Sequence, residues 1–294
     1  VVSLTQTSEL REALKLCDTV IVSDCARGTA TQHFADILLP AQGWSEKSGT
    51  VTNSERRISR QRRLLAPHKL AKPDWWILSK VAQKLGFYGF DYTHESQIFA
   101  EHAMLSNQPN DSASQLPRSF QLRALAQLTV DQYDALAPIQ WPVSMSEVSG
   151  IAPRFYSDGK AHSASGKLKL IPITPRLALS NLSADYPLML STGRIRDQWH
   201  TMTRTGLSAR LNEHITQAFV QVHPSDAAAL GLTEAGLAHV SSVHGEVLLR
   251  VSITDQVRAG EVFAPMHWSE QSANACVGKL IQSSIDPISK QPEF

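Results

Sequence analysis

The sequence is poor in cysteine and nearly balanced in charge. Cys17, Cys25 and Cys276 are its only cysteines, and none of them has the C-x-x-C spacing of zinc or iron–sulfur ligands. An odd and sparse count also argues against a disulfide scaffold, so we expect three packed thiols. Lys plus Arg number 28 and Asp plus Glu 27, a net charge of +1, which predicts no nucleic-acid partner.

Long apolar runs are absent as well. No stretch of about 18 apolar residues occurs, and Val1–Thr5 have neither the basic start nor the apolar core of a signal peptide. We therefore expect a cytoplasmic protein with no membrane partner. The sequence starts at Val1 and stops at Phe294 without a terminal signal, and we expect it to be a piece of a longer polypeptide.

The first half alternates helix and strand patterns. Ser8 to Cys17 has apolar residues at helical spacing, and a second helix follows Pro73 along one apolar face up to Gly86. The β-branched run Thr19–Val22 and the segment Ala35–Pro40 predict strands, the first of them buried on both faces. Helices alternating with buried strands are typical of an α/β unit.

The pattern changes toward the second half. Between Ser106 and Arg118 the composition shifts to Asn, Gln, Pro, Asp and Ser, which predicts an exposed linker. Short strands with turns follow from Tyr186 onward, together with a hairpin at His244-Gly245 and a short helix starting at Pro224. The predicted strands are Leu188–Ser191, Ala218–Val222, Leu237–Val243 and Glu246–Ile253. This pattern predicts a β-barrel.

One loop concentrates the chemistry. A predicted strand ends in Thr192-Gly193, where glycine lets a ligand approach the backbone, and cationic and ring-bearing residues follow it. Those residues are Arg194, Arg196, Gln198, Trp199, His200 and Thr201. Guanidinium groups match phosphate oxygens and the rings suit a flat heterocycle, so a large anionic ligand is predicted. By composition alone, a solvated loop closing the barrel is equally consistent.

This loop resembles the pterin- and diphosphate-holding loop of the bis-molybdopterin-guanine-dinucleotide oxidoreductases, which begins Thr-Gly-Arg and continues to Trp-His-Thr. The rest of the half resembles the barrel domain of that family, in the segments Val222–Leu232, His244–Val247, Val257–Phe263 and Pro265–Trp268. The resemblance implies a double-psi β-barrel in which Met266 or its neighbour and Asn274 lie against the pterin. The end of the chain, 286–294, resembles the terminal motif before a cofactor-contacting lysine, which this sequence does not include.

The first half resembles the third, Rossmann-like domain of the same family. The resemblance lies in Val22–Asp24, Phe34–Pro40, Trp44–Thr50 and Asn53–Arg57. It implies that Ser23, Asp24, Lys47 and Asp74 hold the guanosine, since a carboxylate can accept two hydrogens from a guanine edge. Plainer alternatives remain open: a strand-ending turn, a surface charge and a first-turn helix residue. Residues 154–160 and 166–168 resemble the crossover between the domains.

Together these features predict a partial α/β Rossmann-like domain with its linker at 1–150, a crossover at 151–185 and a double-psi β-barrel at 186–294. The resemblance is nearest to assimilatory nitrate reductases. It implies a molybdenum bis(molybdopterin guanine dinucleotide) cofactor that reduces nitrate to nitrite. No residue of this chain is predicted to be catalytic or to bind metal.

The resemblance implies that the remainder of the same polypeptide supplies the molybdenum ligand and a 4Fe-4S cluster. An electron donor protein or reductase subunit is the further expected partner. Two alternatives within the class are a formate dehydrogenase and a periplasmic-type nitrate reductase. A non-catalytic structural subunit or binding module with the same fold is the third alternative.

Overall fold

The computed structural model describes residues 1–5, 7–106, 108, 119–143, 154–161, 163–174, 182–281 and 286. It divides into two compact units, each discontinuous in sequence. The first unit comprises residues 1–22, 26–38 and 175–294, and the second comprises 23–25 and 39–174. The linker predicted at 106–118 and the terminal motif at 286–294 lie almost entirely outside the described residues. The boundaries near 150 and 185 stay predictions.

The first helix, α1 (Thr7–Lys15), confirms the predicted helix and ends two residues before Cys17. It is fastened to the carboxy-terminal part of the first unit. The Arg11 guanidinium lies 2.5 Å from the Glu270 carboxylate, and the buried Cys276 Sγ lies 3.6 Å from Thr7 Oγ1. A Cβ on Gly278 would stand 2.7 Å from that same hydroxyl. This close approach explains why glycine occupies position 278.

Two short strands follow, β1 (Ile21–Asp24) and β2 (Ile37–Pro40), which pair as a two-stranded sheet. The prediction that the first is buried on both faces was wrong. Ile21 is 52% exposed, and Leu38 in β2 is 54% exposed. An apolar run tells which side chains can be buried, whereas their cover has to come from other elements. No third strand pairs with these two in the part of the chain that the structure describes.

The described residues of the second unit form an antiparallel sheet and three α-helices. The strands lie in the order β3 (Gly49–Thr52), β4 (Arg57–Gln61) and β5 (Ile139–Gln140). The helices are α2 (Asp74–Lys84), α3 (Glu95–Leu105) and α4 (Val130–Asp134). The second predicted helix is thereby confirmed as α2. The core of this unit consists of Ile58, Phe99, Ala103, Leu122, Leu125, Tyr133, Ile139 and Val143.

A buried arginine joins the sheet of this unit to its helices. The side chain of Arg60, only 3% exposed, lies 2.8 Å from the Asp134 carboxylate. It also donates to the Gly49 carbonyl, and its guanidinium lies 3.8 Å from the centre of the Tyr133 ring. Arg60 therefore satisfies a strand carbonyl and a helix carboxylate from inside the core.

The main sheet of the first unit has five strands in the order β6, β10, β7, β9, β8. These are β6 (Met189–Gly193), β7 (Phe219–Val222), β8 (Leu237–Ser242), β9 (Gly245–Ile253) and β10 (Glu261–Pro265). β10 runs parallel to β6 and β7 parallel to β9, whereas β10–β7 and β8–β9 are antiparallel. The four predicted strands are confirmed, and β10 is additional. β6 and β8 lie at the two edges, so closure into a double-psi barrel stays a prediction.

The core of this sheet comes from alternating side chains of the strands. β9 buries Val247, Leu249 and Val251 while the residues between them face outward. The predicted helix at position 224 is confirmed as α6 (Pro224–Ala229), and a one-turn helix, α5 (Ala209–Asn212), precedes β7. The hairpin is confirmed as well, and at its turn a Cβ on Gly245 would lie 2.8 Å from the Lys279 carbonyl oxygen.

We predict that Arg60→Met lowers the free energy of unfolding of the chain by about 1.5 to 3 kcal/mol, because hydrogen bonds to a charged group are lost from a buried position. Arg62→Met is the matched control, since exposed Arg62 donates only to the Asp134 carbonyl. It should change stability by about 0.5 kcal/mol or less. Urea unfolding followed by circular dichroism measures both. Equal losses in the two variants would contradict the role given to Arg60.

Candidate functional site

The predicted ligand loop begins where β6 and β10 end together. Their parallel register aligns Gly193 with Pro265, and the Met266 N–H donates to the Gly193 carbonyl at 3.0 Å. A Cβ on Gly193 would meet the Phe263 ring at 3.3 Å, so packing on this neighbour accounts for the glycine. Met266, a predicted cofactor residue, thus contacts the start of the loop through its backbone.

The next residue, His267, was not predicted by name, since the sequence pointed only to Met266 or its neighbour. Its side chain is fully buried, at 0% exposure. Nε2 accepts from the Ile195 N–H at 2.9 Å, and Nδ1 lies 2.5 Å from the His200 carbonyl oxygen. Burial, together with the nearby Arg194 cation, lowers the pKa of this imidazole. The only available signal was its place in the segment Pro265–Trp268, and nothing local distinguished it from a core residue.

Two residues of the loop adopt strained backbone conformations. His200 has φ of +45° and Met202 has φ of +60°, values in the left-handed region that residues with a side chain seldom occupy. Such conformations persist only where neighbouring contacts enforce them, and they concentrate at binding sites. The loop is therefore held in one specific shape.

That shape brings three predicted residues together on the surface. The Arg194 guanidinium lies 5.3 Å from the centre of the Trp199 ring, and the Trp199 and His200 rings meet edge to face at 4.5 Å. All three side chains are exposed, Trp199 to 56%. None of the carboxylates in the described parts of the chain pairs with Arg194. A cation and two rings therefore face solvent side by side; we call them the Arg194 cluster.

Arg196, two residues further on, is in a different electrostatic situation. Its guanidinium donates twice to Asp197, at 3.0 Å each, and His214 Nδ1 lies 2.6 Å from the same carboxylate. The two hydrogen bonds from Arg196, followed by the one from His214, hold the pKa of Asp197 below its usual range. The charge of Arg196 is therefore neutralised within the loop.

Gln198, also predicted to contact the cofactor, lies inside the loop with 5% exposure. Its amide nitrogen donates to Asn212 Oδ1 at 2.7 Å, and its amide oxygen accepts from Thr205 Oγ1 at 2.7 Å. Thr205 Oγ1 in turn accepts from the Trp199 N–H at 3.1 Å. Gln198 thus links the loop to α5 and braces Trp199 from behind.

A polar pocket of about 470 Å³ lies in the first unit beside the strained part of the loop. Thr201 and Met202 form one wall. Arg27, Trp268 and Gln271 also line the pocket. Its mixture of hydroxyl, amide and cationic groups suits a ligand with both donors and acceptors.

Thr192 and Asn274 are further predicted cofactor residues of this unit. Thr192 lies in β6 with its hydroxyl buried and without a hydrogen-bond partner in the described structure. Asn274 is exposed, and its Oδ1 accepts from the Leu248 N–H in β9 at 3.2 Å. Its amide nitrogen is the part that stays available to a ligand.

The four predicted guanosine residues all belong to the second unit. At the end of β1 the Asp24 carbonyl accepts from the Ala41 N–H at 3.0 Å, and the Gln42 N–H donates to the Lys72 carbonyl at 2.9 Å. Ser23 lies on β1 beside Asp24. The other two residues follow these strand ends and pair with each other, the Lys47 Nζ lying 2.6 Å from the Asp74 carboxylate. Their assignment to the guanosine stays a prediction.

Among the described residues no group of three or more His, Cys, Asp or Glu side chains could hold a metal ion. The described helices also include none with the length and apolarity required to span a membrane.

Comparison with known proteins places this geometry in a class. Residues 1–84 match the family model described as molybdopterin oxidoreductase, and residues 188–294 match the one described as molydopterin dinucleotide binding domain. The fold agrees with a solved structure, acetylene hydratase from Pelobacter acetylenicus, at a TM-score of 0.70 and 15% identity, over 98% of this chain and 41% of that one. The two family matches give this chain a molybdopterin oxidoreductase domain and a molybdopterin dinucleotide-binding domain.

Within that class, the relatives are nitrate reductases and formate dehydrogenases. A nitrate reductase of Klebsiella oxytoca is 46% identical over 100% of this chain and 33% of its own length. An F420-dependent formate dehydrogenase subunit alpha of Methanocaldococcus jannaschii is 32% identical over 100% of this chain and 40% of its own length. The chain thus spans about a third of the length of the first of these relatives.

We predict that Gln198→Glu lowers the free energy of unfolding of the chain by about 1 to 3 kcal/mol, because the buried carboxylate no longer donates to Asn212. Gln256→Glu makes the same change on an exposed turn and is expected to change stability by about 0.5 kcal/mol or less. Urea unfolding measures both variants. A Gln198→Glu chain as stable as the control would show that this amide does not hold the loop.

Proposed function

We propose that this chain is the carboxy-terminal portion of an assimilatory nitrate reductase and holds one side of a molybdenum bis(molybdopterin guanine dinucleotide) cofactor. The observation that supports this most directly is the Arg194 cluster: a cation without a carboxylate partner in the described structure, next to two exposed rings. Such a surface is complementary to a ligand that combines phosphate with a flat heterocycle. The 46% identical nitrate reductase supports the choice of substrate.

The residues of the first unit fit the predicted ligand in their chemistry. The Arg194 fork would bind the diphosphate, and Trp199 and His200 would pack against the pterin. Thr201 would supply hydrogen bonds from the wall of the polar pocket, and the free amide nitrogen of Asn274 would donate to a pterin acceptor. Arg196 and Gln198 would act indirectly, because their polar groups are occupied within the loop.

In the second unit the guanosine would lie at the shared strand ends. The Asp24 carboxylate would accept two hydrogens from the guanine edge, with Ser23 next to it. Lys47 and Asp74 already form an ion pair, with side chains 26% and 54% exposed. A ligand would meet this pair as one preorganised group with a donor and an acceptor side by side.

The proposed division of labour leaves this chain without acid, base or nucleophile. A bound molybdenum cofactor would supply two-electron oxygen-atom transfer, and the residues named above would bind and orient it. The rest of the same polypeptide would supply the molybdenum ligand and the 4Fe-4S cluster, and an electron donor protein would reduce that cluster. The proposal includes a cytoplasmic location, a Rossmann-like unit at 1–150, the crossover at 151–185 and the double-psi barrel at 186–294.

The exposed strands β1 and β2 support the presence of further polypeptide around them. Ile21, Ile37 and Leu38 are 44% to 54% exposed although they lie in paired strands. Burying such side chains stabilises a protein by about 25 cal/mol per Å² of apolar surface. We propose that the remainder of the same polypeptide covers them.

Formate oxidation is the second candidate function, because a 32% identical relative is a formate dehydrogenase subunit. Purified full-length protein separates the two: nitrate consumption with a reduced dye supports our proposal, and formate-dependent dye reduction without nitrate turnover supports the alternative. Protein that contains no molybdopterin dinucleotide would indicate a structural subunit or binding module instead.

We predict that Arg194→Ala in the full-length enzyme lowers cofactor content at least tenfold, since losing the partner of a buried phosphate charge costs about 2 to 5 kcal/mol. The KM for nitrate in molecules that keep their cofactor should change little. Arg258→Ala, on an exposed turn, is the matched control. Molybdenum and guanine are measured per polypeptide. Normal cofactor content with a greatly raised KM would assign Arg194 to the substrate instead.

We also predict that the isolated 294-residue chain has no nitrate reductase activity with a chemical electron donor, because the proposed metal ligand and cluster lie outside it. The control is the full-length enzyme assayed beside it with the same reduced dye. Reproducible turnover by the chain alone would contradict the proposed division of labour.

A further inference from the structure

His267 connects the two ends of the ligand loop from inside the protein. It accepts from the Ile195 N–H at one end and lies 2.5 Å from the His200 carbonyl oxygen at the other. The side chain is completely buried. A buried ring whose two nitrogens both contact the backbone of one loop acts as a brace for that loop.

These contacts define the protonation state of the ring. A backbone N–H can only donate and a carbonyl oxygen can only accept, so Nδ1 bears the hydrogen and Nε2 is unprotonated. Both hydrogen bonds can form together only when the ring is neutral. A second proton on Nε2 would face the Ile195 N–H, and two donors would then oppose each other.

The bond to His200 lies at a strained position. His200 adopts φ of +45°, and a residue with a side chain needs compensating contacts to stay there. The hydrogen bond from His267 is made to the carbonyl of this same residue. The conformation of His200 in turn determines where its ring meets Trp199, and Trp199 lies beneath Arg194.

We propose that His267 is a positioning residue for the cofactor: its neutral ring fixes the left-handed conformation of His200 and thereby sets the geometry of the Arg194 cluster. The inference rests on the proposed cofactor-binding function of that cluster. His267 itself need not touch the ligand, because it acts through the backbone of the loop.

Three substitutions of His267 in the full-length enzyme distinguish the role of its hydrogen bonds from the role of its side-chain volume. His267→Leu keeps an apolar side chain of similar size and removes both hydrogen bonds. His267→Asn keeps a donor near the position of Nδ1, and His267→Gln keeps an acceptor near that of Nε2. His239→Leu is the control, because His239 is an exposed strand residue far along the sequence from the loop.

We expect His267→Leu to lower molybdenum and guanine content at least tenfold and to increase tryptic cleavage after Arg194 and Arg196. His267→Asn should recover part of both losses, since it keeps the bond to the His200 carbonyl. The control should equal the wild type in both measurements. Full cofactor content in His267→Leu, or no recovery in His267→Asn relative to it, would overturn the proposal.

Measuring cofactor release from the wild-type enzyme at several pH values tests the same brace. This measurement does not depend on whether a substituted protein folds. Burial lowers the pKa of His267, and the neighbouring Arg194 cation adds to this, whereas the hydrogen bond to the His200 carbonyl acts in the opposite direction. The His200 side chain is the other titratable neighbour of the ring. The folded loop thus keeps the ring neutral where the unfolded chain would protonate it. The stabilisation is complete above about pH 6.5, the ordinary histidine value, and is lost as the pH falls below it.

Cofactor release should therefore accelerate at least threefold as the pH falls below about 6.5, and this acceleration should be absent in His267→Asn. The same acceleration in His267→Asn would mean that protonation of His267 is not its cause, and the proposal would fail. Wild-type enzyme without molybdopterin dinucleotide would refute the proposed function itself. A normally loaded His267→Leu enzyme would refute only the role of His267.

Discussion

The parallel pairing of β6 with β10 is the constraint on which the loop geometry depends. The two strands are far apart in the sequence but run in the same direction, so their carboxyl ends meet at one edge of the sheet. The loop after Gly193 and the segment after Pro265 therefore leave the sheet together. This is what brings the His267 ring within 2.9 Å of the Ile195 N–H. An antiparallel pair would have placed them at opposite ends.

Arg194 and Arg196 lie in the same loop but differ in whether a carboxylate pairs with the guanidinium. Arg196 is neutralised by Asp197, whereas Arg194 lies over Trp199 without a carboxylate partner in the described structure. Because the whole chain has a net charge of only +1, attraction of an anion has to be local. The neutral state of His267 fits this arrangement, since a protonated imidazole buried next to the Arg194 cation would be repelled by it.

Apolar side chains of β1 and β2 are exposed on the surface of this chain. Ile21 and Leu38 are more than half exposed in paired strands, and the chain covers 33% of the nitrate reductase that it resembles at 46% identity. The remainder of the polypeptide, as proposed above, would cover these side chains. The same reasoning explains why the sequence predicted buried strands that this segment alone does not bury.

The sequence by itself determined the local elements: α1, α2, α6, the β8–β9 hairpin and the short strands of the second half. Their signals repeat every two to four residues and need no distant partner. It also pointed to Arg194, Trp199 and His200 through one contiguous motif. Only the tertiary structure decided the strand order, the burial of Gln198 and the brace formed by His267. Those depend on partners as many as 72 residues apart, and no local periodicity records which distant strand a residue will lie beside.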